Sequence, residues 1–147
     1  AIGQGNTLVS PMHMALLTSA IANGGELMKP YLIDSVKNSD GETIKTTEPE
    51  KYKRLMSVNE ANLMGKLMKK VVEEGTASAL NGRGYTAAGK TGSAEFDENG
   101  SSHSWFVGYS NVDDPDLVVA IIVENGGTGS ESAVPIAGQL FDAYYYD

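Results

Sequence analysis

The run Ala88-Gly89-Lys90-Thr91-Gly92-Ser93-Ala94-Glu95-Phe96 places one ammonium among glycines and small hydroxyls. A lysine that only solubilises a surface has no need of such neighbours; a lysine that holds an anion against bare backbone does. If the run is a strand, alternation puts Thr91, Ser93 and Glu95 on one face and Lys90, Gly92 and Ala94 on the other. Gly92 then leaves space on the lysine side for a close neighbour. On an edge strand the free main chain can pair with an extended peptide. The hydroxyls of Thr91 and Ser93 can bond a terminal carboxylate, Lys90 supplies positive charge beside it, and the Ser93 N–H can donate to a developing oxyanion. Lys-Thr-Gly also occurs by chance in many strands, so the surroundings must decide.

Other candidates carry less. His13 and His103 have no carboxylate or second histidine at ligand spacing, and there is no cysteine, so neither a metal site nor a disulfide is expected. Glu95 reads as a solvated strand-end carboxylate, Trp105 as packing, and Tyr144-Tyr145-Tyr146 as helix-end packing. The glycine-rich stretch Gly126–Ser130 lies between an apolar strand and a helix, the context of phosphate loops. It lacks G-x-x-x-x-G-K, and Ser132 stands where a dinucleotide fingerprint needs its third glycine. A nucleotide-binding module is therefore the weaker reading.

The elements that must position Lys90 can be read by period and punctuation. Ser10-Pro11 opens a helix, with Ser at the N-cap and Pro at the first helical position. Its apolar residues, Met12, Met14, Leu16, Leu17 and Ile21 among them, predict a well-buried helix ending at Gly24-Gly25. Residues 31–37 and 43–47 flank Ser39-Asp40-Gly41-Glu42 as a peripheral hairpin. Ser57-Val58-Asn59-Glu60 is a capping box, followed by Ala61, Met64, Leu67, Met68, Val71 and Val72 at helical spacing. Three strands follow at about 86–96, 103–110 and 117–124, joined by turns at Asn99-Gly100 and Asp113–Asp116. Short turns predict an antiparallel meander. The last strand, a continuous apolar run, is expected to be covered on both faces. A final helix follows, with Ala133, Ile136, Ala137, Leu140, Phe141 and Tyr144 as its stripe and Pro135 in its first turn.

The 147 residues fit one domain with a real core, and the formal charge of -8 argues against a nucleic-acid partner and against adsorption to anionic lipid. No run long and apolar enough to span a bilayer appears, and no signal peptide opens the chain. The chain starts abruptly in loop-like sequence, as though continued upstream.

These features together resemble the penicillin-binding proteins. AAGKTGSAEF, then SWFVGY, then an apolar strand and a C-terminal helix are similar to the C-terminal part of their serine D,D-transpeptidase domain. GQGNTLVSPMHMALLTSAIANGGELMKP resembles the family segment running from G-Q-G through an apolar helix to A-N-G-G, and VVEEGTASAL resembles its V-V-x-x-G-T-A stretch. The G-Q-G to A-N-G-G pattern is closer to class B, the type fused to a non-catalytic dimerisation module. Of the family's motifs S-x-x-K, S-x-N and K-T-G, the third is present as Lys90-Thr91-Gly92. Ser-x-x-Lys is absent. Ser57-Val58-Asn59 matches S-x-N in letters, but it follows the G-Q-G segment rather than preceding it, and the capping box accounts for it.

The resemblance implies an α/β fold of α+β type. An antiparallel three-strand meander flanked by helices, residues 1–147, would be the C-terminal half of one transpeptidase domain whose S-x-x-K and S-x-N half is absent. It implies an enzyme that cross-links peptidoglycan stem peptides ending in D-Ala-D-Ala through an acyl-serine, is acylated by β-lactams, needs no cofactor, and is anchored outside the cytoplasm. Lys90, Thr91, Gly92 and Ser93 would bind the substrate carboxylate. Lys90 would also hold the S-x-N serine, and the Ser93 N–H would be one oxyanion donor. The chain alone would be inactive, and its open edge with the apolar side chains of Leu117–Val123 would favour self-association or a partner half. A non-catalytic peptide- or partner-binding module of the same fold is the alternative.

Overall fold

A computed structural model describes residues 7–95 and 102–146. The Gly3-Gln4-Gly5 segment, Phe96 and the Asn99-Gly100 turn lie outside the described residues. Helix α1, Pro11–Ala22, begins as the sequence requires: Ser10 is extended and its hydroxyl accepts the His13 N–H at 3.2 Å. Gly24 and Gly25, both at positive φ, reverse the chain after it. The helix is less buried than its composition predicts. It packs on the sheet and on a second helix, which buries Thr18 and Ala20, but its N-terminal turn is open and Met12 is 56 % exposed.

Two small antiparallel pairs follow. Strand β1, Glu26–Met28, pairs with β4, Lys51–Arg54, and β2, Ser35–Lys37, pairs with β3, Thr43–Thr46. The β2–β3 hairpin is the expected one and is peripheral. Its turn is closed by the Asn38 side-chain carbonyl, which accepts the N–H groups of Asp40 and Glu42. The β1–β4 pair has no apolar signature in sequence. Lys51 and Arg54 converge there on the Glu26 carboxylate and hold it below the usual range.

Helix α2, Val58–Glu73, carries the full capping box: the Ser57 hydroxyl accepts the Glu60 N–H, and the Glu60 carboxylate accepts the Ser57 N–H at 2.8 Å. Its buried positions are Ala61, Gly65, Met68 and Val72. The expected stripe is thus corrected: Met64 and Leu67 are 42 % and 56 % exposed. Gly65 takes the inward position because a Cβ there would lie 2.6 Å from the Tyr109 hydroxyl.

A 3-10 turn at Ser78–Leu80 leads to β5, Ala87–Ala94, then β6, His103–Ser110, and β7, Leu117–Val123, in the antiparallel order β5-β6-β7. Helix α3, Ala133–Tyr146, covers one face, where Phe106, Val119, Ile121, Val134 and Phe141 form the main core. On the other face Met68, Ala88 and Tyr109 pack with residues of α1. The stripe expected for α3 holds in part: Ala133, Ala137 and Phe141 are buried, but Ile136 is exposed. Val134 and Gly138 are buried, while Leu140 and Tyr144 are about half exposed. Small residues let α3 approach closely, and size outweighs hydropathy at that contact. The apolar side chains of β7 lie half-buried or buried between α1 and α3 instead of being exposed, although no described strand pairs with its outer edge.

Candidate functional site

Strand β5 is anchored at one end and presented at the other. Ala87, Ala88 and Gly89 are buried, whereas Lys90 to Ala94 are exposed or half-buried. Helix α2 lies against the buried end, with Met68 beside Ala88 on one face and Val72 in the core of the other. Ahead of the strand, the Tyr85 hydroxyl donates to Asp142 at 3.0 Å, and Arg83 pairs with the same carboxylate. The ring of Tyr85 stacks on Tyr145 and meets Phe141 edge-on. Burial, then the Asp142 contact, pushes the Tyr85 hydroxyl up to about 12. The hydrogen-bonded Arg83 holds Asp142 below the usual carboxylate value.

Among the described strands β5 pairs with β6 alone. Its hydrogen-bonding phase follows from one contact: the Asn111 N–H donates to the Thr86 carbonyl at 2.8 Å, one residue before the Ala87–Ser110 pair. Alternation along an antiparallel ladder then turns the main chain of Ala88, Lys90 and Gly92 toward β6, and that of Gly89, Thr91 and Ser93 toward the outer border. The exposed Lys90 ammonium curls back and donates to the Thr91 carbonyl at 2.7 Å, on that border.

The two faces differ as expected. Lys90 and Gly92 lie opposite Val107 and Trp105, and a Cβ at Gly92 would sit 3.1 Å from the Trp105 Cβ, so the room on the lysine side is taken up by a half-buried indole. On the other face the Thr91 hydroxyl is 2.6 Å from that of Thr76, and the Ser93 hydroxyl accepts the Gly129 N–H at 3.4 Å. Both hydroxyls thus have protein partners on the face opposite the ammonium.

Behind that face lies the Gly126–Ser130 loop. A Cβ at Gly129 would fall 2.6 Å from the Trp105 carbonyl oxygen, 2.8 Å from the Thr91 Cβ and 2.9 Å from the Gly92 carbonyl oxygen. Buried Ser104, which sequence reasoning missed, ties the loop down. Its hydroxyl donates to the Thr128 carbonyl and accepts the Ala133 N–H. The loop is no phosphate cradle. Glu131 places its carboxylate on the Thr128 N–H and hydroxyl, and these bonds hold it in the ionised range. The Val134 N–H of α3 is taken by the Gly129 carbonyl. An incoming phosphate would meet a negative charge where it needs donors.

The remaining candidates are engaged elsewhere, although His103 lies on β6 opposite Ala94 of β5. The Ser57 hydroxyl serves the α2 cap. His103 accepts the Asn125 N–H through Nδ1. The described residues contain no group of three or more His, Cys, Asp or Glu placed to hold a metal.

The chain and its fold have counterparts among known proteins. The family model described as the penicillin binding protein transpeptidase domain matches residues 1–142. The chain is 36 % identical to the peptidoglycan D,D-transpeptidase PbpA of Mycolicibacterium smegmatis over 92 % of its own length and 29 % of the relative's. It is 32 % identical to PbpA of Mycobacterium tuberculosis, covering 97 % of itself and 30 % of that protein. It thus spans under a third of these relatives. Among solved structures it is similar to the ceftriaxone acyl-enzyme complex of penicillin-binding protein A from M. tuberculosis, with a TM-score of 0.89 and 32 % identity over 98 % of this chain and 34 % of that one. A D,D-transpeptidase domain from Eggerthella lenta matches with a TM-score of 0.82 and 37 % identity over 92 % of this chain and 32 % of that one.

Proposed function

This chain belongs to the penicillin-binding protein transpeptidase family, and from that premise we propose that it supplies the substrate-binding strand of a class B peptidoglycan D,D-transpeptidase. The protein carrying it would act on the outer face of the bacterial cell membrane and be acylated by β-lactams, as the M. tuberculosis neighbours are in their ceftriaxone, imipenem and penicillin G complexes. Among the described residues no helix is long and apolar enough to cross a membrane.

The observation that carries this reading is the border of β5. An exposed ammonium lies beside main-chain groups that turn away from β6, on a strand with no second strand partner among those described. A stem peptide ending in D-Ala-D-Ala would lie along that border. Lys90 would leave the Thr91 carbonyl for the terminal carboxylate, a stronger partner because both groups are charged. Thr91 and Ser93, rising from the other face beside the same border, would donate hydroxyl hydrogens to that carboxylate across it. The Ser93 N–H would donate to the carbonyl oxygen as it becomes an oxyanion, a contact that strengthens as charge develops. The nucleophilic serine and the S-x-N serine would come from the rest of the domain. Attack on the penultimate D-Ala carbonyl would form an acyl-serine and release D-Ala, and an amine from a second stem peptide would then take the acyl group.

The test is the second-order rate of acylation by penicillin G of the protein that contains this chain with the rest of its transpeptidase domain. Lys90→Gln should lower it on the order of a hundredfold, the scale of losing one preorganised electrostatic contact. An unchanged rate would remove Lys90 from the site. A wild-type protein that binds D-Ala-D-Ala peptides yet takes up no penicillin would be the non-catalytic peptide-binding module instead.

A further inference from the structure

Thr76 stands in the turn after α2, in the Gly75-Thr76-Ala77 run, and the chemistry assigned to β5 makes no use of it. We infer that Thr76 is a positioning residue: its hydroxyl donates to the Thr91 hydroxyl, fixes that side chain, and leaves the Thr91 proton to point at the ligand's carboxylate. The inference rests on the proposed function and adds a residue to its binding site.

The two oxygens are 2.6 Å apart, and geometry alone allows either to donate. A threonine hydroxyl has one proton and two acceptor positions. If Thr91 donated to Thr76, it would offer an anion only lone pairs, which repel it. If Thr76 donates, the Thr91 proton is released toward the anion. The hydroxyls and carboxylate then run head to tail, each bond polarising the next. An anionic ligand therefore selects the second arrangement.

Both ends of this bond are held. Thr91 is backed by Gly129, where no side chain would fit. Thr76 is exposed, but the backbone on either side of it is hydrogen-bonded. Ala77 is wholly buried and its N–H donates to the Val71 carbonyl at 3.1 Å, while the Ser78 N–H donates to the Gly75 carbonyl at 3.2 Å. Gly75 itself sits where a Cβ would be 2.9 Å from the Val71 carbonyl oxygen. A hydroxyl carried on such a turn can set a neighbour's rotamer, whereas one on a loose surface loop could not.

The experiment uses the same full transpeptidase with two probes, penicillin G and its methyl ester, which keeps the β-lactam ring but lacks the anion. Thr76→Val should slow acylation by penicillin G about five- to tenfold, the scale of one hydrogen bond acting on a charged partner. Thr76→Ser should restore the rate to within about twofold, and the ester should respond to either variant by less than about twofold. The effect of Thr76→Val should vanish in a Thr91→Val background, because the two residues act as a pair. Equal slowing of acid and ester, persistence of the loss without the Thr91 hydroxyl, or an unchanged penicillin G rate would each overturn the inference. A wild-type protein that is not acylated at all would overturn the proposed function, and this inference with it.

Discussion

Lys90, Thr91 and Ser93 sit at the open end of a strand whose other end does the holding. Tyr85, two residues before β5, shows how. Its ring is sandwiched against α3, and its hydroxyl shares the Asp142 carboxylate with Arg83. This gives the latch a pH signature with opposite signs at the two extremes. Asp142 is depressed in the folded state, so its contribution is present above the unfolded value of about 4 and is lost as pH falls through the folded value. The thermal-stability deficit of Asp142→Asn should therefore be visible near neutrality and shrink below about pH 4. Tyr85 is raised to about 12, so its contribution is complete below about pH 10 and lost as pH climbs toward the folded value. The deficit of Tyr85→Phe should shrink across that alkaline window. Melting curves at acid, neutral and alkaline pH check both, and a deficit independent of pH would show that the latch contributes through packing alone. At this scale the sequence was legible where contacts are local: the residues proposed to bind the anion, Lys90, Thr91, Gly92 and Ser93, fall within four positions of one strand. Thr76 against Thr91, and Ser104 under the Thr128 carbonyl, are pairs distant in sequence, and no spacing rule joins them.

Elements whose ends carry their own punctuation were readable. The capping box of α2 and the Ser-Pro start of α1 are made of neighbours a few residues apart, so the atoms that satisfy the free N–H groups are visible in the string. Ser57→Ala should cost about 1 kcal/mol, the usual worth of such a cap. It should leave acylation of the full transpeptidase at the wild-type rate. Thermal melts and penicillin G kinetics check the two halves, and a loss of acylation would make Ser57 a site residue after all. The faces of α2 and α3 were only half readable. Period marks which residues share a side, but Gly65 and Gly138 carry no hydropathy signal, and close packing placed them inside. Gly129 is constrained by backbone on two strands. Gly129→Ala should destabilise the chain by about 1–3 kcal/mol, the cost of forcing a methyl into packed structure. It should also slow acylation, because β5 must move to make room. A melt within experimental error of wild type would mean that the loop has slack the geometry does not suggest. The β1–β4 pair was not legible, since three- and four-residue strands held by charge have no period to detect.

At the scale of the molecule, the 147-residue chain has no Ser-x-x-Lys. Incubated alone with penicillin G, it should show no covalent adduct by intact mass spectrometry; a stoichiometric gain in mass would defeat the assignment of the nucleophile to the rest of the domain. The edges of β5 and β7, together with exposed Met12, Leu63 and Leu67, should make the isolated chain associate. Sedimentation equilibrium should therefore give a mass that rises with concentration, and a constant monomer mass would show those surfaces to be inert. Sequence by itself determined the three helices, the peripheral hairpin and the antiparallel meander of β5, β6 and β7, because each depends on neighbours within a turn, a strand or a hairpin. Only the tertiary structure decided which side of each helix is buried, that β5 pairs with β6 alone among the described strands, that Glu131 fills the glycine loop and that Thr76 reaches Thr91. Those facts arise where distant segments meet, and there shape and hydrogen-bond geometry choose among faces that hydropathy leaves equivalent.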